Sequence, residues 1–174
     1  ITIREICQLA DISIGAFYRH MESKEKVFKA FHVKLGAEVM TKVLERTDNK
    51  SPVEKIIIII NIYLDLILRN GYKFVKYFLS LSLDNEAFAS APGALNTFLK
   101  VYINEAFESG EFKTEYDIEY VYRAFSSTLR GATFDWCLNA GKNDLYTEYS
   151  ATLRILLDEF MNSKNNSSKK KSVQ

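Results

Sequence analysis

A chain of 174 residues, 47% of them hydrophobic and only nine of them proline or glycine, buries a sizeable core and favours an all-helical build over a turn-rich sheet. Its longest apolar run, Ile56 to Ile60, stops at Asn61, far short of the roughly 20 residues of a membrane span, and Arg4 and Glu5 interrupt any N-terminal signal, so no membrane partner is expected. The net charge of +1 divides unevenly: +2 over residues 1–34, −5 over 35–162 and +4 over 163–174, a basic beginning on an acidic body that suits a polyanion at one end.

Cys7 and Cys137 stand far apart with no CxxC spacing and no Cys/His cluster, which argues against a disulfide or a zinc site and for a reducing, cytoplasmic setting. Two histidines, with no GxSxG, phosphate-loop or HExxH pattern, give no catalytic set and no metal ligands. No enzyme and no cofactor are expected.

In chain order, Thr2 caps a first short helix, Ile3 to Leu9, with Ile3, Ile6, Cys7 and Ala10 on one face. After Ala10-Asp11-Ile12, Ser13 caps a second, from about Ile14 to His20. Ser23 caps a third, in which Val27, Phe28, Phe31, Leu35 and Val39 keep helical spacing to about Arg46. The linker from Thr47 to Pro52 follows, with Pro52 suited to a helix's first turn. A strongly apolar helix runs from Val53 to Asn70 and stops at Gly71; another continues from Tyr72 to about Leu83. A short helix and turn are expected between Asp84 and Gly93, then helices Ala94–Ser109, Asp117–Ala140 and Asp144–Asn162. The tail from residue 163 has almost no apolar residues and is expected to be disordered.

Two short helices joined by a tight turn, the second opened by a Ser cap, are the pattern of a helix-turn-helix. Such a second helix fits the major groove of double-stranded DNA while the first braces the backbone. Ile6, Ala10, Ile12, Phe17 and Met21 are expected to pack inward; Ile14, Ala16, Tyr18 and His20 then face outward. Ser13 offers free N–H groups and a positive dipole end to a phosphate. Gly15, which costs a helix about 1 kcal/mol relative to Ala, clears room for close backbone approach. The Tyr18 hydroxyl and the Lys24 ammonium can donate to phosphate oxygens.

The stretch TIREICQLADISIGAFYRHMESKEKVF resembles the DNA-binding signature of TetR-type repressors, matching it at Thr2, Ile6, Ala10, Ser13, Gly15, Phe17, Tyr18, His20, Ser23, Lys24 and Glu25. Gly15-Ala16-Phe17-Tyr18, where another repressor class has T-V-S-R, selects the TetR type. Asp11 stands where the family has Gly, Met21 replaces an aromatic core residue, and Ile14 replaces a frequent Lys or Arg. By the resemblance, the chain starts at the family's second helix and lacks its first. The resemblance implies a helix-turn-helix DNA-binding domain over 1–34 and a larger helical-bundle domain for effector binding and dimerisation over 35–162, with 163–174 as a basic tail. It further implies DNA contacts from Thr2, Ser13, Ile14, Gly15, Ala16, Tyr18, His20 and Lys24.

The implied function is a homodimeric transcriptional regulator, a repressor released from a palindromic operator by a small-molecule effector. The alternative is an interaction protein that keeps the fold without specific DNA binding. Aromatic and amide groups in the body, Asn61, Tyr63, Tyr77, Asn96, Tyr102 and Tyr122, are candidate effector contacts. For the dimer, Tyr120 with the small residues Ala124, Ser127, Thr128 and Gly131 offers one helix face. Leu145, Tyr149, Leu153, Leu156 and Phe160 form a matching seam on the last helix, which suits a two-fold four-helix bundle.

Overall fold

The computed structural model describes residues 2–9, 11, 13–20, 24–84 and 93–162. Seven helices follow one another: α1 (Ile3–Leu9), α2 (Ile14–His20), α3 (Lys24–Thr47), α4 (Pro52–Asp84), α5 (Ala94–Glu108), α6 (Ile118–Leu138) and α7 (Leu145–Phe160). The expected short helix between Asp84 and Gly93, the Ser23 cap and the basic tail lie outside the described residues. The chain is all-α, as its composition predicts; an isolated bridge between Phe112 and Met161 is its one β-type pairing among the described residues.

Side chains chosen for the task start these helices. Thr2 and Glu5 form a reciprocal capping box on α1: the Thr2 N–H donates to Glu5 Oε2 at 2.7 Å and the Glu5 N–H to Thr2 Oγ1 at 3.1 Å. Ser51 and Glu54 do the same for α4, with Pro52 at its first position. Asp117 accepts from the Glu119 and Tyr120 N–H groups and so caps α6 instead of lying in it. Asp144 caps α7 by accepting from the Thr147 N–H.

The core gathers around α4, which packs against α3, α5 and α6, while α7 closes over α6. Val39 and Val43 of α3 meet Ile56, Ile59, Ile60, Leu64 and Ile103 in one apolar cluster. At its lower end Phe112 is fully buried among the rings of Phe107, Phe125 and Phe160. Strand-like hydrogen bonds fasten this end: the Lys113 N–H donates to the Phe160 carbonyl and the Asn162 N–H to that of Glu111. No described helix is long and apolar enough to cross a membrane.

Two features fix the relation between the upper and lower halves. Gly71 interrupts α4 at φ 75°, ψ 156°, a conformation open essentially to glycine alone, so the stop expected there appears as a break between two limbs. Two residues earlier, Arg69 donates to both oxygens of Glu38 on α3, at 2.6 and 2.8 Å. Lys42 reaches the same carboxylate at 2.8 Å. α3 itself runs unbroken from Lys24 to Thr47, through the boundary expected at residue 34.

Gly71→Ala is expected to lower the unfolding free energy by about 1–3 kcal/mol in urea titrations, although an added Cβ would meet nothing within 4 Å. The hydrogen bonds from Arg69 and Lys42 lower the Glu38 carboxyl from 4.5 to about 2. Its folded pKa being depressed, the stabilisation is complete above 4.5 and is lost as pH falls towards 2. Glu38→Gln should therefore flatten the acid limb of the stability profile in that window, by no more than the ~1 kcal/mol of an exposed ion pair.

Candidate nucleic-acid interface

The N-terminal end is built from two seven-residue helices, too short to persist alone, so local caps and a few buried side chains must hold them. Cys7 of α1 and Phe17 of α2 are both buried. Between the helices Asp11 takes φ 51°, a left-handed turn that Asp accepts more readily than most residues, with its N–H donating to the Gln8 carbonyl. Asp11, which stands where the resemblance expects glycine, takes a left-handed conformation that glycine adopts freely.

Ser13 caps α2: its Oγ accepts from the Ala16 N–H at 3.0 Å. This leaves the N–H groups of Ile14 and Gly15 at the positive end of the helix. Ile14 is 44% exposed, Gly15 is exposed and Ala16 is half-buried, whereas Phe17 is 2% exposed. Of the expected inward set the described side chain is Phe17, which is buried; of the outward set, Ile14 is exposed and Ala16 half-buried. The side chains of Tyr18, His20 and Lys24, and of Ile6, Ala10, Ile12 and Met21, lie outside the described ones. Thr2 is exposed, with its hydroxyl engaged in the α1 cap.

An added Cβ on Gly15 would meet only Ser13 Oγ, at 3.9 Å. Among the described residues nothing requires glycine there. An open groove of about 660 Å³ runs between the two helices, lined by Arg4, Cys7, Gln8, Asp11, Ser13 and Ile14. Arg4 and Gln8, exposed on α1, were not singled out in the sequence, because their polarity alone marks them as ordinary surface.

In the body, the six candidate effector contacts differ in burial and partners. Tyr102 is buried, its hydroxyl paired with Thr47 Oγ1 at 3.3 Å and its ring under the Lys55 ammonium. The Tyr63 hydroxyl bonds Thr133 of α6, and burial pushes its pKa up. Tyr122 lies beneath Lys100, 4.4 Å from its ring centre. Asn96 is exposed, while Asn61 and Tyr77 are half-buried. None of the six lines the groove between α1 and α2 or a second crevice beside the α4 break.

The expected dimer residues divide in two. Leu145, Tyr149, Leu153 and Phe160 are buried within the single chain, so the seam they form is internal, against α6. Tyr149 shows why: its hydroxyl donates to the Phe125 carbonyl at 3.2 Å and approaches Thr128 Oγ1 at 3.4 Å. Burial drives its pKa to about 12. Leu156 is half-buried against the same core. The α6 residues, by contrast, are not fully buried: Tyr120, Ser127 and Gly131 are exposed, Ala124 and Thr128 half-buried. The same stripe continues through Phe134 (50% exposed) and Leu138 (68%). Tyr120, Ala124, Ser127, Gly131, Phe134 and Leu138 alternate steps of four and three, the spacing of a helix–helix seam; that spacing was present in the sequence and marks the two residues it missed.

No family model and no curated protein matches the chain. Among solved structures, a TetR transcription regulator from Haloarcula marismortui ATCC 43049 superposes with a TM-score of 0.73 over 93% of this chain and 88% of that one, at 20% identity. Backbone likeness of that extent, on a helix-turn-helix followed by a helical body, shows that this chain has the TetR-type fold.

Proposed function

We propose that the chain is a DNA-binding transcription regulator that works as a two-fold dimer, a repressor that leaves a palindromic operator when a small molecule binds. One observation carries this reading. α2 presents Ile14, Gly15 and Ala16 outward from a Ser-capped N-terminus while Cys7 and Phe17 hold its other side. A helix so placed offers backbone N–H groups to a phosphate and a short, nearly flat surface to a groove. The family resemblance over residues 2–28 adds Tyr18, His20 and Lys24 as DNA contacts. The solved neighbour named above is itself a transcription regulator.

Dimerisation supplies the symmetry that a palindrome needs. The exposed α6 stripe supports it: small residues at Ala124, Ser127 and Gly131 let two helices approach closely, and Tyr120, Phe134 and Leu138 cover apolar area at either end. The interface moves from the buried seam of α7 to the outer face of α6. The alternative, an interaction protein without DNA, draws on Ile14, an exposed apolar side chain where the family has a cation.

Gel shifts with fragments from the chain's own gene neighbourhood are expected to show saturable binding that weakens as salt rises. Gly15→Ala separates function from stability: the fold should gain up to about 1 kcal/mol, while DNA affinity falls at least tenfold. Absence of saturable DNA binding by the unaltered chain would favour the protein-partner reading. For the dimer, sedimentation of Phe134→Glu is expected to show monomers with an unchanged circular dichroism spectrum. Leu156→Ala, which trims the internal core, should leave the dimer intact and lower stability by about 2–5 kcal/mol.

A further inference from the structure

A second crevice, of about 610 Å³, lies where α1 meets the break in α4, a volume in the range of small-molecule sites. Glu5 and Gln8 of α1 form one wall. Asn70 and Gly71 form its floor, and Tyr72, Lys73 and Phe74 open the second limb of α4 as the other wall. We propose that this crevice binds a small zwitterion with an aromatic body, its ammonium against Glu5, its carboxylate against Lys73 and its ring on Tyr72 and Phe74.

The charges motivate the choice. Lys73 is near enough to favour the Glu5 anion, yet the two groups close no ion pair, so opposite charges face one another across an open gap. An ion of one sign satisfies one wall and is repelled by the other; a zwitterion of matching span satisfies both. The aromatic wall is rigid where it matters. Tyr72 packs its Cβ and ring edge against the Gly141 turn, where an added Cβ would stand 3.2 Å from Tyr72 Cβ and 3.3 Å from the Trp136 ring. The Cys137 thiol also approaches the Tyr72 carbonyl, at 3.9 Å.

The location gives such a ligand leverage. The first limb of α4 is clamped to α3 through Arg69 and Glu38, and the second limb departs from it at Gly71. A molecule wedged between α1 and that second limb sets the angle of the reader against the body. This regulatory consequence rests on the proposed function; the binding does not.

Calorimetric titration of the full chain with L-phenylalanine, phenethylamine and 3-phenylpropionate tests the site. L-Phenylalanine is expected to bind saturably, with each singly charged probe at least tenfold weaker. Lys73→Met should weaken L-phenylalanine and 3-phenylpropionate about tenfold and spare phenethylamine. Glu5→Gln keeps the α1 capping box and should do the reverse. Absence of saturable L-phenylalanine binding, equal binding of all three probes, or indifference to both variants overturns the proposal. Gel shifts of the ligand-free chain separate the two readings. DNA binding without L-phenylalanine binding removes the crevice site alone; charge-selective L-phenylalanine binding without DNA binding removes the regulator reading alone.

Discussion

The burial of α4 is the constraint on which the rest of the structure depends. Its buried positions, Val53, Ile56, Ile59, Ile60, Ile62, Leu64 and Leu66, cover roughly 200° of the helix circumference at 3.6 residues per turn. One neighbour covers a stripe of about 100°, so α4 must be packed on several sides, and α3, α5 and α6 take those places. α7 then packs on a side of α6 that α4 and α5 leave open. Its apolar positions, Leu145, Tyr149, Leu153 and Leu157, are used up in doing so.

The reader depends on this body through α3. Two helices of seven residues bury little between them, and their caps at Thr2 and Ser13 stabilise each by only about 1 kcal/mol. α3 continues without interruption from the reader into contact with α4, and the Glu38 carboxylate fixes its rotation through a two-pronged bond that a lysine in place of Arg69 would not reproduce. The crevice between α1 and the second limb opens at the break at Gly71.

Polar groups inside the body are matched to one another. Thr47 pairs with Tyr102, Thr133 with Tyr63, and Tyr149 with the Phe125 carbonyl and Thr128. These hydroxyls fix the register of neighbouring helices, and as a set they do not surround a common space. Among the described residues two buried polar atoms lack a partner: the indole N–H of Trp136, beside the turn that anchors Tyr72, and Asn143 Oδ1.

The sequence by itself determined most of the helices, the caps at Thr2 and Ser13 and the pair of short helices at the N-terminal end. Ser13, Gly15 and Phe17 are legible because capping, helix cost and i-to-i+4 spacing are local, and the left-handed turn at Asp11 follows from position and residue type. Gly71 and Gly141 mark their helix ends for the same reason. Tertiary structure alone decided which apolar face meets which neighbour. Leu153 and Ile155 are equally apolar and two residues apart, yet one is buried and the other 69% exposed, because α6 covers only one side of α7. The crevice between Glu5 and Lys73 was invisible for a related reason: its walls lie 68 residues apart in sequence, and only the packing of α4 brings them together.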